Sequence, residues 1–177
     1  MIRVTFRGAA SGAWRIERIT PVIGASLPHA AALSVDEDVA DASFVLRGVT
    51  SQQRYVERRE KDALVAIQPP LGRPEATRAA LIPIKKTDAW WDLAQDERRA
   101  IFEERSGHVA NSMKYMPAIA RRLYHSRELG DPFDFLTWFE YAPEHAGHFE
   151  ELVATLRATE EWRYVEREVD LRLVRTV

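Results

Sequence analysis

The sequence predicts an α+β chain. Its C-terminal part follows the ferredoxin-like order β-α-β-β-α-β, and a truncated form of the same plan precedes it. Three observations predict this. Strand-like and helix-like segments alternate in that order from about residue 80. The two middle strands are joined by the turn Gly130-Asp131-Pro132, which makes them an antiparallel hairpin. The N-terminal third reads as strand, loop, strand, helix, a shortened version of the same series. The boundary is placed between residues 79 and 80, giving a truncated half over 1–79 and a full half over 80–177.

The elements follow in order. The first strand signal surrounds Trp14, Ile16 and Ile19, and residues 21–41 read as a loop rich in Pro, Gly and acidic residues. Residues 44–50 (FVLRGVT) are rich in β-branched and aromatic side chains and predict a strand. Residues 52–67 predict a helix that stops at the breaker QPPLG, 68–72. Residues 80–84 form a short apolar strand. Thr87 or Asp88 caps a helical turn bearing Trp90 and Trp91, and Asp96 opens a longer helix, DERRAIFEERSGH. Pro117 forces an extended backbone into a strand over 118–127. Residues 133–141 are the next strand. Pro143 and Glu144 open a helix whose Phe149, Leu152, Val153 and Leu156 form an apolar stripe. The last strand, 165–174, carries Val165, Val169, Leu171 and Leu173 on one face. Helices on one side of such a sheet leave its other face for a second sheet or a ligand cavity.

Composition narrows the function. The 177 residues include 25 Lys plus Arg against 27 Asp plus Glu, a net charge of −2, which argues against a non-specific nucleic-acid binder. There is no cysteine, so disulfide, zinc-thiolate, iron–sulfur and thiol-nucleophile chemistry are excluded. The longest uncharged run, Ile19 to Val35, is broken by Pro21, Gly24 and Pro28 and is too irregular for a membrane span. No secretory leader is visible, and a cytoplasmic location is the expectation. No phosphate-binding glycine loop, GxSxG elbow or HExxH is present.

Several residues break the pattern. The strand over 118–127 puts Arg121 on one face with Ile119 and Leu123, where a buried guanidinium needs an acceptor. An ion pair to an acidic residue, or an escape to solvent at a sheet edge, satisfies it. The following strand aligns Phe133, Phe135, Thr137, Phe139 and Tyr141, which suits either a core or a flat apolar cofactor. His108 lies seven residues after Ile101, on the inward face if the helix continues that far. A hydrogen-bonded core histidine and a metal ligand are both open readings. His145 and His148 have metal-compatible spacing, but no third ligand is near, so a solvated face is expected. Lys86 and Trp90 are four apart and would share a helical face as a carboxylate clamp. Arg54 and Tyr55 follow a strand at the start of a helix, where free N–H groups favour anions.

The run SGHVANSMKYMPAIARRLYHSRELGDPFDFLTWFEY, 106–141, resembles the chlorite dismutase family of haem b proteins. The likeness extends to residues 82–93 (IPIKKTDAWWDL), 47–60 and 149–162. It implies a dimeric α/β barrel of the short-subunit branch, with one haem b per subunit and a homodimer as the assembly. It implies decomposition of chlorite to chloride and dioxygen, with no nucleic acid or membrane as partner. By resemblance, His108 matches the proximal haem ligand and metal-binding residue, and Arg121 matches the distal arginine that holds the anion. Glu161 matches the acceptor of the histidine's hydrogen bond. Lys86, Trp90, Tyr55 and the backbone near Val56 match positions around the haem propionates, beside the Arg54 anion site. Trp91 matches a second tryptophan beside the haem, and Leu123, Thr137 and Phe139 match the distal wall. Relatives that decarboxylate coproheme generally lack the distal arginine. A coproheme decarboxylase, a peroxidase-like haem enzyme and a non-enzymatic haem-binding protein are the competing readings.

Overall fold

A computed structural model describes residues 1–9, 12–37, 40–50 and 58–176. Eight strands form one antiparallel sheet: β1 (Ile2–Arg7), β2 (Trp14–Ile23), β3 (Ala32–Val35), β4 (Phe44–Gly48), β5 (Arg78–Lys86), β6 (Ile119–His125), β7 (Phe135–Tyr141) and β8 (Val165–Arg175). Their spatial order is β4-β1-β3-β2-β8-β5-β7-β6. Each set of four repeats one neighbour order, fourth-first-third-second, which is that of the ferredoxin-like plan. The two sets are joined by the long pairing of β2 with β8.

The sheet closes on itself. Val49, just past β4, exchanges backbone hydrogen bonds with His125 at the end of β6 (2.9 and 2.8 Å). Gly48 permits this approach, because a Cβ there would stand 2.7 Å from Tyr124 Cβ. The barrel interior is filled by alternate residues of the strands, among them Val4, Leu33, Leu81, Trp138 and Leu171. The sheet face turned away from the helices is therefore covered by the strands of the N-terminal half. The ligand-sized cavity lies on the helix side.

The helices sit outside β5–β8. They are α1 (Arg58–Ile67), α2 (Asp88–Asp92), α3 (Gln95–Arg99), α4 (His108–Met113) and α5 (Ala146–Arg157). The apolar stripe of α5 buries Phe149, Leu152, Val153 and Leu156 against Ala80, Ile82, Ile119 and Phe139 of the outer sheet face, as its spacing predicts.

Five expectations need correction. β1 and β3 were not anticipated, and β3 lies inside the expected loop 21–41. The N-terminal half keeps all four strands, and among the described residues no helix lies between β1 and β2 or between β3 and β4. None is needed, because β2 begins at the level of β3 where β1 ends: Ala32 pairs with both Arg7 and Arg15. The single helix expected from Asp96 to His108 is three pieces, α3, a π-helical turn over Ala100–Arg105, and α4. Gly107 at φ 59° makes the break, in the left-handed region that favours glycine. Phe133 precedes β7 and packs into the barrel interior, away from Phe135 and Phe139. Val165 leaves the face of Val169 and Leu171, because a bulge opposite Lys85 and Lys86 shifts its register. The expected helix over 52–67 is described from Arg58 onward.

Candidate functional site

A cavity of about 1170 Å³, part of it open to solvent, lies between the outer face of β5–β7–β6 and the layer of α2, α4 and α5. Ile82, Ile84, Phe135, Phe139, Leu152 and Leu156 make its walls largely apolar. Among the polar groups that line it, His108 comes from α4 and Arg121 from β6.

His108 is fixed from its own backbone outward. Gly107 turns the chain, and the Glu103 carboxylate of the π-helical turn accepts the N–H groups of Val109 (2.7 Å) and Ala110 (3.2 Å), capping the first turn of α4. Phe102, from the same turn, stacks on the imidazole with centroids 4.4 Å apart. π-Helical turns often occur at functional sites, and this one sets the ring that faces the cavity. His108 Nδ1 lies 2.7 Å from Glu161 Oε2. Glu161 Oε1 accepts Lys86 Nζ at 2.7 Å, and the Glu161 N–H donates to Ser106 Oγ at 3.0 Å. Burial opposes ionisation of Glu161, but His108 and Lys86 outweigh it and hold the carboxyl down at about 2. With Nδ1 donating to a carboxylate, Nε2 is the ring nitrogen left as a Lewis base.

Arg121 faces the cavity between Ile119 and Leu123, as strand alternation predicts. Among the described residues it has no ion-pair partner. Arg121 is half-buried and borders the cavity. Desolvation pulls its guanidinium below the usual arginine value, with the Glu161 charge opposing. Its backbone carbonyl accepts the Gln68 side-chain amide, which anchors the strand locally. The acidic partner considered from sequence is thus not found among the described residues.

Other sequence-derived candidates fall in three groups. Trp90, Leu123, Thr137 and Phe139 line the cavity with His108, Arg121 and Glu161. Lys86 also lines it but is the last residue of β5 rather than part of a helical turn. Its ammonium is 5% exposed by residue, bound to Glu161 and stacked 4.5 Å from the Trp90 ring, so it is no open clamp for a carboxylate. Trp91 does not line the cavity. It stacks on Phe135 and donates to Asp134 (3.3 Å), with Arg127 over its face at 4.2 Å. Arg54, Tyr55 and Val56 lie outside the described residues. His145 and His148 stack on each other, and no cluster of three metal-ligating side chains occurs among the described residues.

Residues that sequence reasoning missed include Ser106, Phe102 and Asp134. Asp134 Oδ2 accepts the Lys86 N–H at 2.7 Å and the Trp91 indole, fixing the end of β5. Burial raises its pKa, and these hydrogen bonds oppose the rise. The signal available for it was an acid directly before an alternating aromatic strand.

The closed barrel of two ferredoxin-like strand sets carries an outer cavity into which project an imidazole and a guanidinium that has no ion-pair partner among the described residues, which defines a ligand-binding α+β barrel. Residues 33–177 match the family model for chlorite dismutase. The chain belongs to the chlorite dismutase family. It is 61% identical to a dimeric chlorite dismutase from Nitrobacter winogradskyi of known crystal structure, with a TM-score of 0.93, covering 99% of this chain and 100% of that one. Chlorite dismutase from Candidatus Nitrospira defluvii, solved in complex with imidazole, is 31% identical with a TM-score of 0.62, over 77% of this chain and 56% of that one. The curated chlorite dismutase of Ideonella dechloratans is 29% identical over 127 residues, 71% of this chain. This chain spans 42% of that relative's length. No helix among the described residues is long and apolar enough to cross a membrane.

Proposed function

We propose that this protein is a haem b enzyme that converts chlorite to chloride and dioxygen. The observation that carries the reading is His108 and Arg121 projecting into one apolar cavity, in a chain of this family. The residues fit the group. The cavity has the apolar walls that a porphyrin needs, His108 offers Nε2 while Nδ1 is engaged by Glu161, and Arg121 has no ion-pair partner among the described residues. Bound haem would supply the iron redox chemistry for converting chlorite to chloride and dioxygen, a change in which both Cl–O bonds are lost and one O–O bond is gained.

The protein's own part is positional and electrostatic. His108 would hold the haem iron, with Nε2 the ring nitrogen left for it. Its Nδ1 proton stays on the ring and is donated to Glu161, which makes the imidazole a stronger donor. Lys86 balances the Glu161 charge and keeps that carboxylate ionised inside a dry layer. Arg121 draws a small oxyanion into a cavity that would otherwise exclude charge, and its planar fork of donors holds two oxygens at once. The overall change, one chlorite to one chloride and one dioxygen, neither takes up nor releases a proton. A fixed cation therefore suffices, and no general acid is required of Arg121. The walls around Phe139, Leu123 and Thr137 would keep water away from an anion held by Arg121.

The dimeric relative from Nitrobacter winogradskyi supports a homodimer for this chain as well. An absorption spectrum of purified protein titrated with haem, followed by an oxygen-electrode trace on chlorite addition, tests the reading. Stoichiometric haem uptake and prompt oxygen release are expected. Carboxyl loss from coproheme without oxygen from chlorite would assign the site to the other haem chemistry.

A further inference from the structure

Behind the His108 side of the cavity runs a buried chain of charges. Glu168 of β8 is fully buried. Its Oε1 accepts Arg157 Nε (2.8 Å) and Nη2 (2.7 Å), and its Oε2 accepts the Trp162 indole N–H at 2.7 Å. Arg157 also reaches Asp170 (2.8 Å), which in turn binds Arg172 (2.6 Å). Fastening α5 to β8 is reason enough for Asp170 and Arg172, which do not line the cavity. Glu168, Arg157 and Trp162 do line it.

Trp162 follows Glu161 directly on the short 3-10 segment Glu160–Tyr164. Its ring lies 5.6 Å from Lys86 Nζ, while the Trp90 ring lies 4.5 Å from the same ammonium. The ammonium that partners Glu161 thus lies close to two indoles, within cation–π reach of each. A half-buried indole on so short a segment has little of its own backbone to hold it. The Glu168 carboxylate is its hydrogen-bond anchor.

We propose that Glu168 is a positioning residue: by anchoring the Trp162 indole it keeps that ring as a cover over Lys86, shields the Lys86–Glu161 pair from water, and so holds the Glu161 carboxylate on His108. The benefit to catalysis rests on the haem reading above. The cover itself does not, because it is built entirely of this chain's own side chains. A dry pair interacts more strongly than a wet one, which is what the shielding contributes.

Reductive methylation of lysines, read by peptide fragmentation, tests the cover on purified protein. Lys85, half-exposed, is the internal reference for its buried neighbour Lys86. Trp162→Phe keeps a ring and removes the N–H, and Glu168→Leu removes the acceptor. Each is expected to raise Lys86 modification relative to Lys85 about tenfold, equivalent to about 1.4 kcal/mol, the order expected for one lost hydrogen bond to a buried charge. The double variant should add little, since both changes remove the same bond. Asp170→Leu removes an equally buried carboxylate from Arg157 without touching Trp162, and should stay within about twofold of the parent by the same reasoning. Equal rises in the Glu168 and Asp170 variants, or no rise in Trp162→Phe, would overturn the proposal. If Glu168→Leu does not fold, Trp162→Phe decides alone. A negative labelling result with haem binding intact would leave the haem reading standing, and the reverse result would leave the cover standing.

Discussion

Replacing Glu161 with Gln removes the charge that links Lys86 to His108 while keeping the side chain's size. The carboxyl moves from an ordinary 4.5 to about 2 on folding. That difference corresponds to about 3 kcal/mol of stability at pH 7, taking about 1.4 kcal/mol per pKa unit. The sign follows from the depressed value. The contribution is complete above the unfolded value of 4.5 and is lost as pH falls through about 2. At pH 3 the unfolded carboxyl is mostly protonated while the folded one is still ionised, so under half of the contribution should remain. Urea unfolding of haem-free parent and variant at pH 7 and pH 3 measures it. Glu161→Gln should cost about 3 kcal/mol at pH 7 and markedly less at pH 3. A cost below about 1 kcal/mol at pH 7, or one that does not change between the two pH values, would refute the reasoning that Glu161 is a buried, charge-paired carboxylate.

Three further variants probe other links. His108→Ala should abolish the proximal bond, so that added haem either fails to bind or shows no imidazole-ligated spectrum; an unchanged axial-ligand spectrum would remove His108 from the site. Arg121→Ala should bind haem normally yet lose about 10²–10³-fold in the rate of oxygen release, the usual scale for deleting one preorganised charge stabiliser, as read on an oxygen electrode. Gly48→Ala should destabilise the fold by about 1–3 kcal/mol in chemical unfolding, because its Cβ would meet Tyr124 Cβ at 2.7 Å and push open the Val49–His125 bridge that closes the barrel.

The C-terminal half was legible because its signals are local. Period-two alternation, the Gly130 turn and the α5 stripe each act within a dozen residues. In the N-terminal half those signals fade. β3 has four residues and buries Ser34, so its pattern is too short and too polar to stand out, and β1 buries Thr5 between two apolar neighbours. The π-helical turn escaped notice because the apolar period continues through it while the backbone phase changes. Gly107 was the visible sign of the break that follows.

The site divides the same way. Arg121 was flagged by its own strand, since a guanidinium between Ile119 and Leu123 violates alternation whatever the protein does. His108 has no comparable local signature, and its role came through resemblance. Its partners arrive from afar: Glu161 is on the segment after α5 and Lys86 at the end of β5, and no periodicity links them. The four-residue spacing of Lys86 and Trp90 suggests a shared helical face, whereas a strand end and a turn bring the two together. Glu168, Asp170 and Arg172 alternate with Val169, Leu171 and Leu173, and alternation alone assigns them to solvent. The useful clue was a charged face of mixed sign opposite a helix that ends in Arg157.

The central claim is that one cavity holds an iron porphyrin on His108 and a chlorite anion on Arg121. An oxygen-electrode trace of haem-loaded protein given chlorite, run beside the same protein carrying Arg121→Ala at equal haem content, tests it most directly. One dioxygen per chlorite from the parent and a much slower trace from the variant are expected. A parent that binds haem through His108 but releases no oxygen, or a variant as fast as the parent, would contradict the account.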